Sequence, residues 1–264
     1  WIKVNLADKL PVKVAGLVMD NDFGLAYEMG FESYAEQNPD VVAEYLPVRH
    51  DPAAPTLTNE VTTIAAFDPD VFISMTAGNP CLLAIQEVEA SGLYERLDAA
   101  FTPSVCKGIA AYMAPAGMAA DGYWIVGGGA KDTTDSEKMK EPFIAFARDL
   151  ISAAGEDPDI SLTGEGVFRG YAFGEAFRIA DALPGGMSRT NLMLALRNFK
   201  IYHPGLLDGL VTELKGNSDA YFVEGSEYSQ FDATNQTWVM VGDVVDANGG
   251  TPNCRWDKAN GGCR

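Results

Sequence analysis

Three short segments of the chain carry side chains that could bind a small molecule. They are Asn21-Asp22-Phe23, Thr76-Ala77-Gly78-Asn79 and Pro103-Ser104-Val105, and each follows an apolar run of strand length. Between them they offer hydroxyl groups, an amide and one aromatic ring. Such a set suits hydrogen-bonded capture of a small polar ligand against an apolar wall. The same residue types are common turn formers, so for Asn79 and Ser104 taken singly both interpretations stay open.

Backbone amides add to this set. Predicted helices begin near Gly24, Pro80 and Ile109, shortly after the three segments. The first turn of a helix presents free N–H groups and the positive end of its dipole, which favours an anionic group such as a carboxylate. The candidate ligand is therefore a small polar molecule that can carry an acid group.

The chain carries none of the common catalytic motifs. It has no G-x-S-x-G, H-E-x-x-H or Walker motif. Gly127-Gly128-Gly129 lacks the strand and helix context of a dinucleotide-binding loop, and we expect a hinge-like connector there. His50 and His203 lie beside proline-containing turns, where we expect them to contribute turn and surface polarity. We predict no catalytic residues, no metal site and no cofactor.

The charge balance excludes some classes of partner. The chain has 264 residues, with 19 Lys and Arg against 37 Asp and Glu, and a formal net charge of -18. Nucleic acids and anionic membrane surfaces both require a basic protein surface, so neither is an expected partner. The chain contains no run of 18 apolar residues, so we expect no membrane-spanning helix. The acidity is typical of a soluble protein secreted from the cytoplasm.

Four cysteines allow three disulfide pairings. Cys81 and Cys106 each follow a predicted strand, and adjacent strand ends are about 5 Å apart, within disulfide reach. Cys254 and Cys263 lie in a Gly/Asn-rich tail that a covalent link would order. We predict Cys81–Cys106 and Cys254–Cys263, in an oxidising compartment. Reduced, buried Cys81 and Cys106 stay open, whereas a zinc site is disfavoured because no C-x-x-C pair exists.

The elements that must position these residues alternate between strands and helices in the first half of the chain. Strands are predicted at 12–19, 41–47, 71–75, 100–102 and 123–126, with helices at 25–37, 57–67, 81–91 and 109–116. Thr56 or Thr58 is the predicted N-cap of the second helix. This alternation is typical of βαβ units and a parallel sheet, and ligands bind at the carboxyl ends of such strands.

The second half has a different pattern. Helices are predicted at 141–154, 166–183 and 188–196, the last with Ser188 as its N-cap, followed by short strands at 221–223, 228–231 and 238–241. The last two strands are joined by a turn at Asp232-Ala233-Thr234-Asn235. The helices have apolar faces that need a sheet, and this part of the chain does not supply one.

The order of these motifs resembles the branched-chain amino-acid (Leu/Ile/Val-binding-like) solute-binding proteins of ABC transporters, which have the type I periplasmic-binding fold. The matching motifs run through nearly the whole chain: D-N-D-F-G at 20–24, D-P-D-V-F-I at 68–73 with G-N-P at 78–80, F-T-P-S at 101–104, G-Y-A at 170–172, and S-D-A-Y-F-V-E-G with F-D-A-T-N-Q-T-W-V at 218–239. The family has two lobes joined by three crossovers, and a ligand is bound between the lobes by hinge closure.

The resemblance implies an α/β chain with one complete doubly wound parallel-sheet lobe plus the helices of an incomplete second lobe. Residues 10–128 correspond to the family's second lobe, 129–225 to a crossover and the helical part of the other lobe, and 226–264 to return strands and a disulfide-stapled tail. The main strands of the first lobe, on the order of a hundred residues, have no counterpart here.

The resemblance also implies roles for single residues. Phe23 replaces the tyrosine of the family's Y-G loop, which packs on the ligand, and Asn79 falls near an aromatic ligand contact. Val105 falls near the acidic residue that pairs with the ligand ammonium. Because that carboxylate is lost, the ligand is either an amino acid held by a substitute such as Asp22, or an amide, a urea-like molecule or an aromatic acid.

The implied function is that of an extracytoplasmic solute-binding component of an ABC importer, with a permease as partner and no enzymatic activity. Because the chain begins with Trp1 and carries no signal peptide, we expect a removed leader or a truncated chain, and a lipoprotein anchor in the full-length protein. Two alternatives stay open: a ligand-sensing domain of a regulator on the same fold, and an α/β enzyme using Asp20 or Asp22.

Overall fold

The computed structural model describes residues 1–216 and 218–250, together with the backbone of 256–257 and 262–263. The chain divides into two compact units. The first unit comprises Trp1–Gly127, Thr134–Ser136 and Tyr228–Val241. The second unit comprises Gly128–Thr133, Glu137–Glu227 and Gly242–Arg264. All the candidate ligand-binding residues belong to the first unit.

Five parallel strands form the centre of the first unit: β1 (Val12–Met19), β2 (Val42–His50), β3 (Val71–Met75), β4 (Ala99–Pro103) and β5 (Trp124–Gly127). Their order across the sheet is β5-β4-β3-β1-β2, so β2 is an edge strand. Helix α1 (Ile2–Asn5) precedes β1. Between the strands lie α2 (Asp22–Gln37), α3 (Thr58–Phe67), α4 (Asn79–Ala90) and α5 (Ala114–Ala116). The α/β class predicted from the sequence is confirmed.

Both faces of this sheet are covered by helices. Successive side chains along a strand point to opposite faces, and apolar residues are buried on each of them. One face, with Leu17 and Phe72, packs on Val61 of α3 and Ile85 of α4. The opposite face, with Val14 and Val71 among its buried residues, packs on Phe31 and Ala35 of α2 and on Trp1. Helices on both faces are what makes the sheet doubly wound.

The predicted starts of two helices are corrected by the structure. Helix α2 begins at Asp22 rather than at 25, since the Asn21 side chain accepts hydrogen bonds from the Phe23 and Gly24 amides, each at 3.1 Å. Helix α3 begins at Thr58, and its N-cap position is Leu57 without a side-chain cap. The Thr56 hydroxyl, one residue before the N-cap position, accepts a hydrogen bond from the Thr58 amide at 3.1 Å.

Strand β2 continues to His50, three residues beyond its predicted end at Pro47. Proline is tolerated in an edge strand because no ladder partner needs its missing N–H. The extension buries His50, which is 2% exposed, and His203 in the second unit is 6% exposed. The prediction that these histidines contribute surface polarity was therefore wrong.

The C-terminal strands β8 (Gly225–Asp232) and β9 (Thr237–Met240) form an antiparallel hairpin, and β8 adjoins β5 in the sheet. The predicted turn between them is confirmed: Asp232 accepts the Asn235 amide through Oδ1 at 2.8 Å and its side-chain amide through Oδ2 at 2.7 Å. These bonds lower the pKa of Asp232.

The second unit is built on α6 (Pro142–Ala153), α7 (Ser161–Ala182) and α8 (Arg189–Arg197). Ser188 caps α8 as predicted, accepting the Asn191 amide at 3.1 Å. Two short strands, β6 (Lys200–Ile201) and β7 (Thr212–Glu213), pair antiparallel. The strand predicted at 221–223 was wrong: Asp219 accepts the Tyr221 amide at 3.1 Å and turns the chain there, leaving only an isolated bridge between Thr212 and Val223.

The apolar residues of the second unit are poorly covered within its described part. Its buried cluster consists of Ile144, Ala147 and Phe168. Other large apolar side chains on these helices are exposed, among them Phe146, Leu150, Phe173, Phe177 and Met193. This matches the expectation that these helices lack a sheet of their own.

Two further observations concern the described part of the chain as a whole. None of its helices combines the length and the apolar character that crossing a bilayer requires.

The strand β10 (Val245–Asp246) pairs antiparallel with the first residues of β8, and β11 (Trp256–Asp257) pairs antiparallel with β12 (Gly262–Cys263). The predicted Cys254–Cys263 disulfide lies outside the residues whose side chains are described.

Candidate functional site

The three candidate segments follow neighbouring strands of the first unit. The first follows β1, the second follows β3 and the third overlaps the end of β4, and these strands are adjacent in the order β4-β3-β1. Val18 is opposite Met75 and Ile73 is opposite Phe101, so the three strands end at comparable levels. The segments therefore share the carboxyl edge of a parallel sheet, which is where such sheets bind ligands.

At the end of β1, the structure corrects the loop predicted for Asn21, Asp22 and Phe23. Asn21 is the N-cap of α2, and its Oδ1 atom is used by two backbone amides. Asp22 and Phe23 lie in the first turn of the helix. Asp22 is exposed, and a carboxylate there interacts favourably with the helix dipole. The half-buried Phe23 ring lies 5.1 Å from the Tyr27 ring, centroid to centroid.

Gly24 makes this sharp change from strand to helix possible. A Cβ atom at Gly24 would lie 2.1 Å from the carbonyl oxygen of Met19, far inside van der Waals contact. The position therefore requires glycine because the helix passes directly over the end of its own strand. This packing fixes where Asp22 and Phe23 stand relative to the sheet edge.

At the end of β3, Thr76 is fully buried and Asn79 is exposed. The Thr76 hydroxyl lies 3.0 Å from His50 Nε2, and His50 Nδ1 lies 2.9 Å from the Asp51 carbonyl oxygen. A carbonyl accepts only, so Nδ1 carries the proton in neutral His50 and Thr76 donates to Nε2. This buried hydrogen bond anchors the start of the segment, and a ligand-binding role for Thr76 stays a prediction.

The exposed part of this second segment is Gly78-Asn79. Gly78 has a φ of +70° and no atom near its missing Cβ, so the backbone conformation rather than crowding favours glycine. Asn79 is the first residue of α4, and Pro80 follows it in the first turn, where its missing N–H is tolerated. The Asn79 side chain stays available at the edge.

At the end of β4, the chain makes a short 3₁₀ turn over Ser104–Cys106. Ser104 is half-buried and Val105 is 39% exposed. The predicted disulfide Cys81–Cys106 is confirmed, with the two Cα atoms 5.6 Å apart. The bond connects the first turn of α4 with the turn after β4, and thus links two of the three candidate segments.

An ion pair between the exposed Arg49 and the buried Glu28 lies beside the end of β1. The Arg49 guanidinium donates to both carboxylate oxygens of Glu28, at 3.0 and 2.9 Å. The Glu28 side chain is only 7% exposed, so the pair compensates a buried charge. The hydrogen bond to Glu28 raises the pKa of Arg49. This cation is therefore engaged, whereas Asp20 and Asp22 are exposed carboxylates at the same end of the sheet.

Sequence reasoning missed the supporting residues His50, Arg49 and Gly24. The two side chains belong to the last residues of β2, which pair in register with Val18 and Met19 at the end of β1. Extending the predicted strand through Pro47 would have brought both of them to the sheet edge. For Gly24, the signal is its position in the very short connection between a long apolar strand and the helix that follows it.

Comparison with known sequences finds no family model and no curated protein that matches the chain. Solved structures do match. A branched-chain amino acid ABC transporter protein from Thermus thermophilus with bound valine has a TM-score of 0.72 and 15% identity, covering 91% of this chain and 62% of that one. A solute-binding protein of an ABC transporter from R. palustris, in complex with 4-hydroxybenzoate, has a TM-score of 0.69 and 15% identity, covering 93% and 63%.

A further match is a solute-binding protein from Rhodopseudomonas palustris BisB5 in complex with 3,4-dihydroxybenzoic acid, with a TM-score of 0.65 and 14% identity over 90% of this chain and 61% of that one. The chain spans 56% to 66% of the length of such solved chains. It therefore has the type I periplasmic-binding fold expected from the sequence, in the partial form that the motifs predicted.

Proposed function

We propose that the chain belongs to the extracytoplasmic solute-binding component of an ABC importer and captures a small polar ligand, an amino acid or a related amide or acid. One observation carries the proposal. Three segments with exposed or half-buried polar and aromatic side chains share the carboxyl edge of the parallel sheet in the first unit. The fold is that of proteins whose structures contain valine or hydroxybenzoates.

The chemistry of the edge supports a ligand with both polar and apolar parts. Phe23 offers a half-buried ring and Val105 an exposed apolar side chain, while Asn79 and Ser104 offer hydrogen-bonding groups. Such a mixture of a few polar groups and an apolar lining is typical of small-molecule sites. Asp22 supplies an exposed carboxylate that could pair with a ligand ammonium in place of the missing acid at Val105.

The arrangement favours binding over catalysis. Histidine is the side chain that most often transfers the proton in general acid–base catalysis, so an enzyme using Asp20 or Asp22 would most simply recruit one. His50, the histidine nearest to this edge, has both ring nitrogens engaged, by the Asp51 carbonyl and the Thr76 hydroxyl. We therefore infer that the ligand leaves the protein unchanged.

The expected location and partner follow from the same proposal. A buried disulfide persists most readily in an oxidising compartment, which supports a periplasmic or extracellular site of action. Delivery to an importer implies a permease as the protein partner. A lipoprotein anchor remains a prediction made from the family resemblance.

A thermal-shift screen tests the proposal. The panel contains L-valine, other amino acids, their amides, 4-hydroxybenzoate and 3,4-dihydroxybenzoate. A ligand at about 100 times its Kd stabilises the folded state by roughly 2.7 kcal/mol, which raises Tm by several degrees. Chromatography of the mixture afterwards should recover the ligand unchanged. Either the absence of any shift across the panel or the appearance of a converted product would overturn the proposal.

A further inference from the structure

The Cys81–Cys106 disulfide lies directly behind the exposed tips of two candidate segments. Cys81 follows the exposed Asn79 by two residues, and Cys106 follows the exposed Val105 by one. The two cysteines are 1% and 0% exposed. The bond is therefore on the inner side of the sheet edge, while Asn79 and Val105 shortly before its two cysteines are exposed.

The backbone pairing between these segments ends before the disulfide. Among the described residues, the ladder between β3 and β4 runs from Val71 opposite Ala99 to Ile73 opposite Phe101. Asn79 and Val105 come several residues later on their strands' extensions. Beyond the ladder, the disulfide joins Cys81, in the first turn of α4, to Cys106, in the turn that follows β4.

The Cys106 sulfur atom of this disulfide also contacts Thr76, the first residue of the candidate segment that follows β3. Cys106 Sγ lies 3.4 Å from the carbonyl oxygen of Thr76, and because the disulfide sulfur carries no hydrogen, this is a packing contact. Thr76 is held on its other side by His50. Both ends of the segment between Thr76 and Cys81 are thus anchored, one to the end of β2 through His50 and the other to the turn after β4 through Cys106. Gly78-Asn79 lies between these anchors.

We propose that Cys81–Cys106 is a positioning element of the ligand edge: it fixes Gly78-Asn79 relative to Ser104-Val105 so that both present a preset surface to the ligand. The proposal rests on the proposed function of this edge. It differs from a purely global role, in which the bond only limits the freedom of the unfolded chain. The two roles make different predictions about local motion in the folded state.

Hydrogen exchange on the folded protein separates them. Two backbone amides report on the segments: that of position 81, which donates to Gly78 O at 3.0 Å, and that of Lys107, which donates to Ser104 O at 3.2 Å. In the pair variant Cys81→Ala/Cys106→Ala we expect both to exchange about tenfold faster or more, because local opening no longer meets a covalent restraint. The Gly24 amide, bound to Asn21, should be unchanged.

A matched control removes the effect of lost stability. Val88 is buried in the same helix, away from both segments, and Val88→Ala lowers stability by leaving a cavity. This variant should leave exchange at position 81 and Lys107 within about twofold of the wild type. No acceleration in the alanine pair, or equal acceleration in Val88→Ala, would overturn the proposal.

The alanine pair leaves space where two sulfur atoms were. If it does not fold, Cys81→Ala/Cys106→Val replaces it, since cysteine packs as a small apolar residue. Failure of both variants to fold would show that the bond is needed globally, and would also overturn the proposal.

Titration with L-valine and 4-hydroxybenzoate adds the ligand arm. Where the wild type binds one of these probes, the folded pair variant should bind it about tenfold more weakly, whereas Val88→Ala should bind normally. Wild-type chain that binds neither probe counts against the proposed function, while the exchange experiment still decides the role of the disulfide.

Discussion

His50 Nε2 lies 3.0 Å from the Thr76 hydroxyl, and this hydrogen bond connects the two strands on either side of β1. His50 ends β2, and Thr76 directly follows β3. Both side chains are buried, so the bond is shielded from water. It joins the end of β2 to the residue after β3, across the end of β1, and it anchors the start of the segment that carries Asn79. The candidate edge is thus supported by a buried hydrogen bond.

Removing one partner of this bond should destabilise the first unit. Thr76→Val leaves His50 Nε2 buried without a donor, which costs about 1–3 kcal/mol of unfolding free energy. His50→Gln should have a similar cost, and the double variant should be less destabilised than the sum of the two, because the residues interact. Urea unfolding of all four proteins measures the coupling. The exposed Thr63, which donates to the Asn59 carbonyl of its own helix turn, provides Thr63→Val as the control. Strict additivity would contradict the assignment.

Two glycines of α2 should respond to alanine in opposite directions. Gly24→Ala places a methyl group against the Met19 carbonyl, so we expect a loss of at least about 2 kcal/mol or a failure to fold. Gly30 has no atom near its missing Cβ, and Gly30→Ala should stabilise the helix by up to about 1 kcal/mol. Thermal and urea unfolding measure both. Equal effects at the two positions would show that Gly24 is not sterically required.

His203 should make the stability of the second unit depend on pH. Its Nε2–H donates to the Phe168 carbonyl at 2.9 Å and its Nδ1 accepts the Gly205 amide at 3.2 Å, within a cluster that includes Phe143 and Tyr171. Burial lowers the pKa of His203, and the nearby Lys131 lowers it further. Both ring nitrogens are therefore used in the neutral form, and protonation of Nδ1 would break the bond to Gly205.

The sign follows from the two states. The unfolded chain takes up a proton near pH 6.5, whereas folded His203 stays neutral to lower pH. Stability should therefore fall as the pH drops from about 6.5 towards the folded pKa. In His203→Gln, this contribution to the slope between about pH 7.5 and 5 should disappear, although the variant is less stable at neutral pH. Chemical unfolding across this range measures it, and an unchanged slope in the variant would refute the role of His203.

Much of the fold could be predicted from sequence because its signals are local. The alternation of apolar strands with helices, the cap at Ser188 and the turn at Asp232 each depend on neighbouring residues. The pairing of Cys81 with Cys106 could be predicted because two strand ends bring them within reach. The alternation, the cap and the turn need no knowledge of the rest of the chain, and the disulfide needs only the adjacency of two successive strands.

The errors occur where tertiary context overrides a local signal. Pro47 ends a strand in most sheets, but β2 is an edge strand and continues to His50. His50 has the residue type and the proline-rich neighbourhood of a surface turn, but the extended strand buries it against the Thr76 hydroxyl. Residues 221–223 have the composition of a strand, but the Asp219 side chain turns the chain at Tyr221, and pairing is limited to an isolated bridge with Thr212.

Calorimetric titration of the wild type, Phe23→Tyr and Phe23→Ala with L-valine and 4-hydroxybenzoate tests the central claim most directly. The account predicts that the wild type and Phe23→Tyr bind at least one of these probes with similar affinity. Loss of the ring contact in Phe23→Ala should weaken binding by about tenfold while leaving Tm nearly unchanged. Phe173→Ala, an exposed phenylalanine in the second unit, should bind like the wild type. Equal affinity in Phe23→Ala, or no heat of binding with either probe in the wild type, would contradict the account.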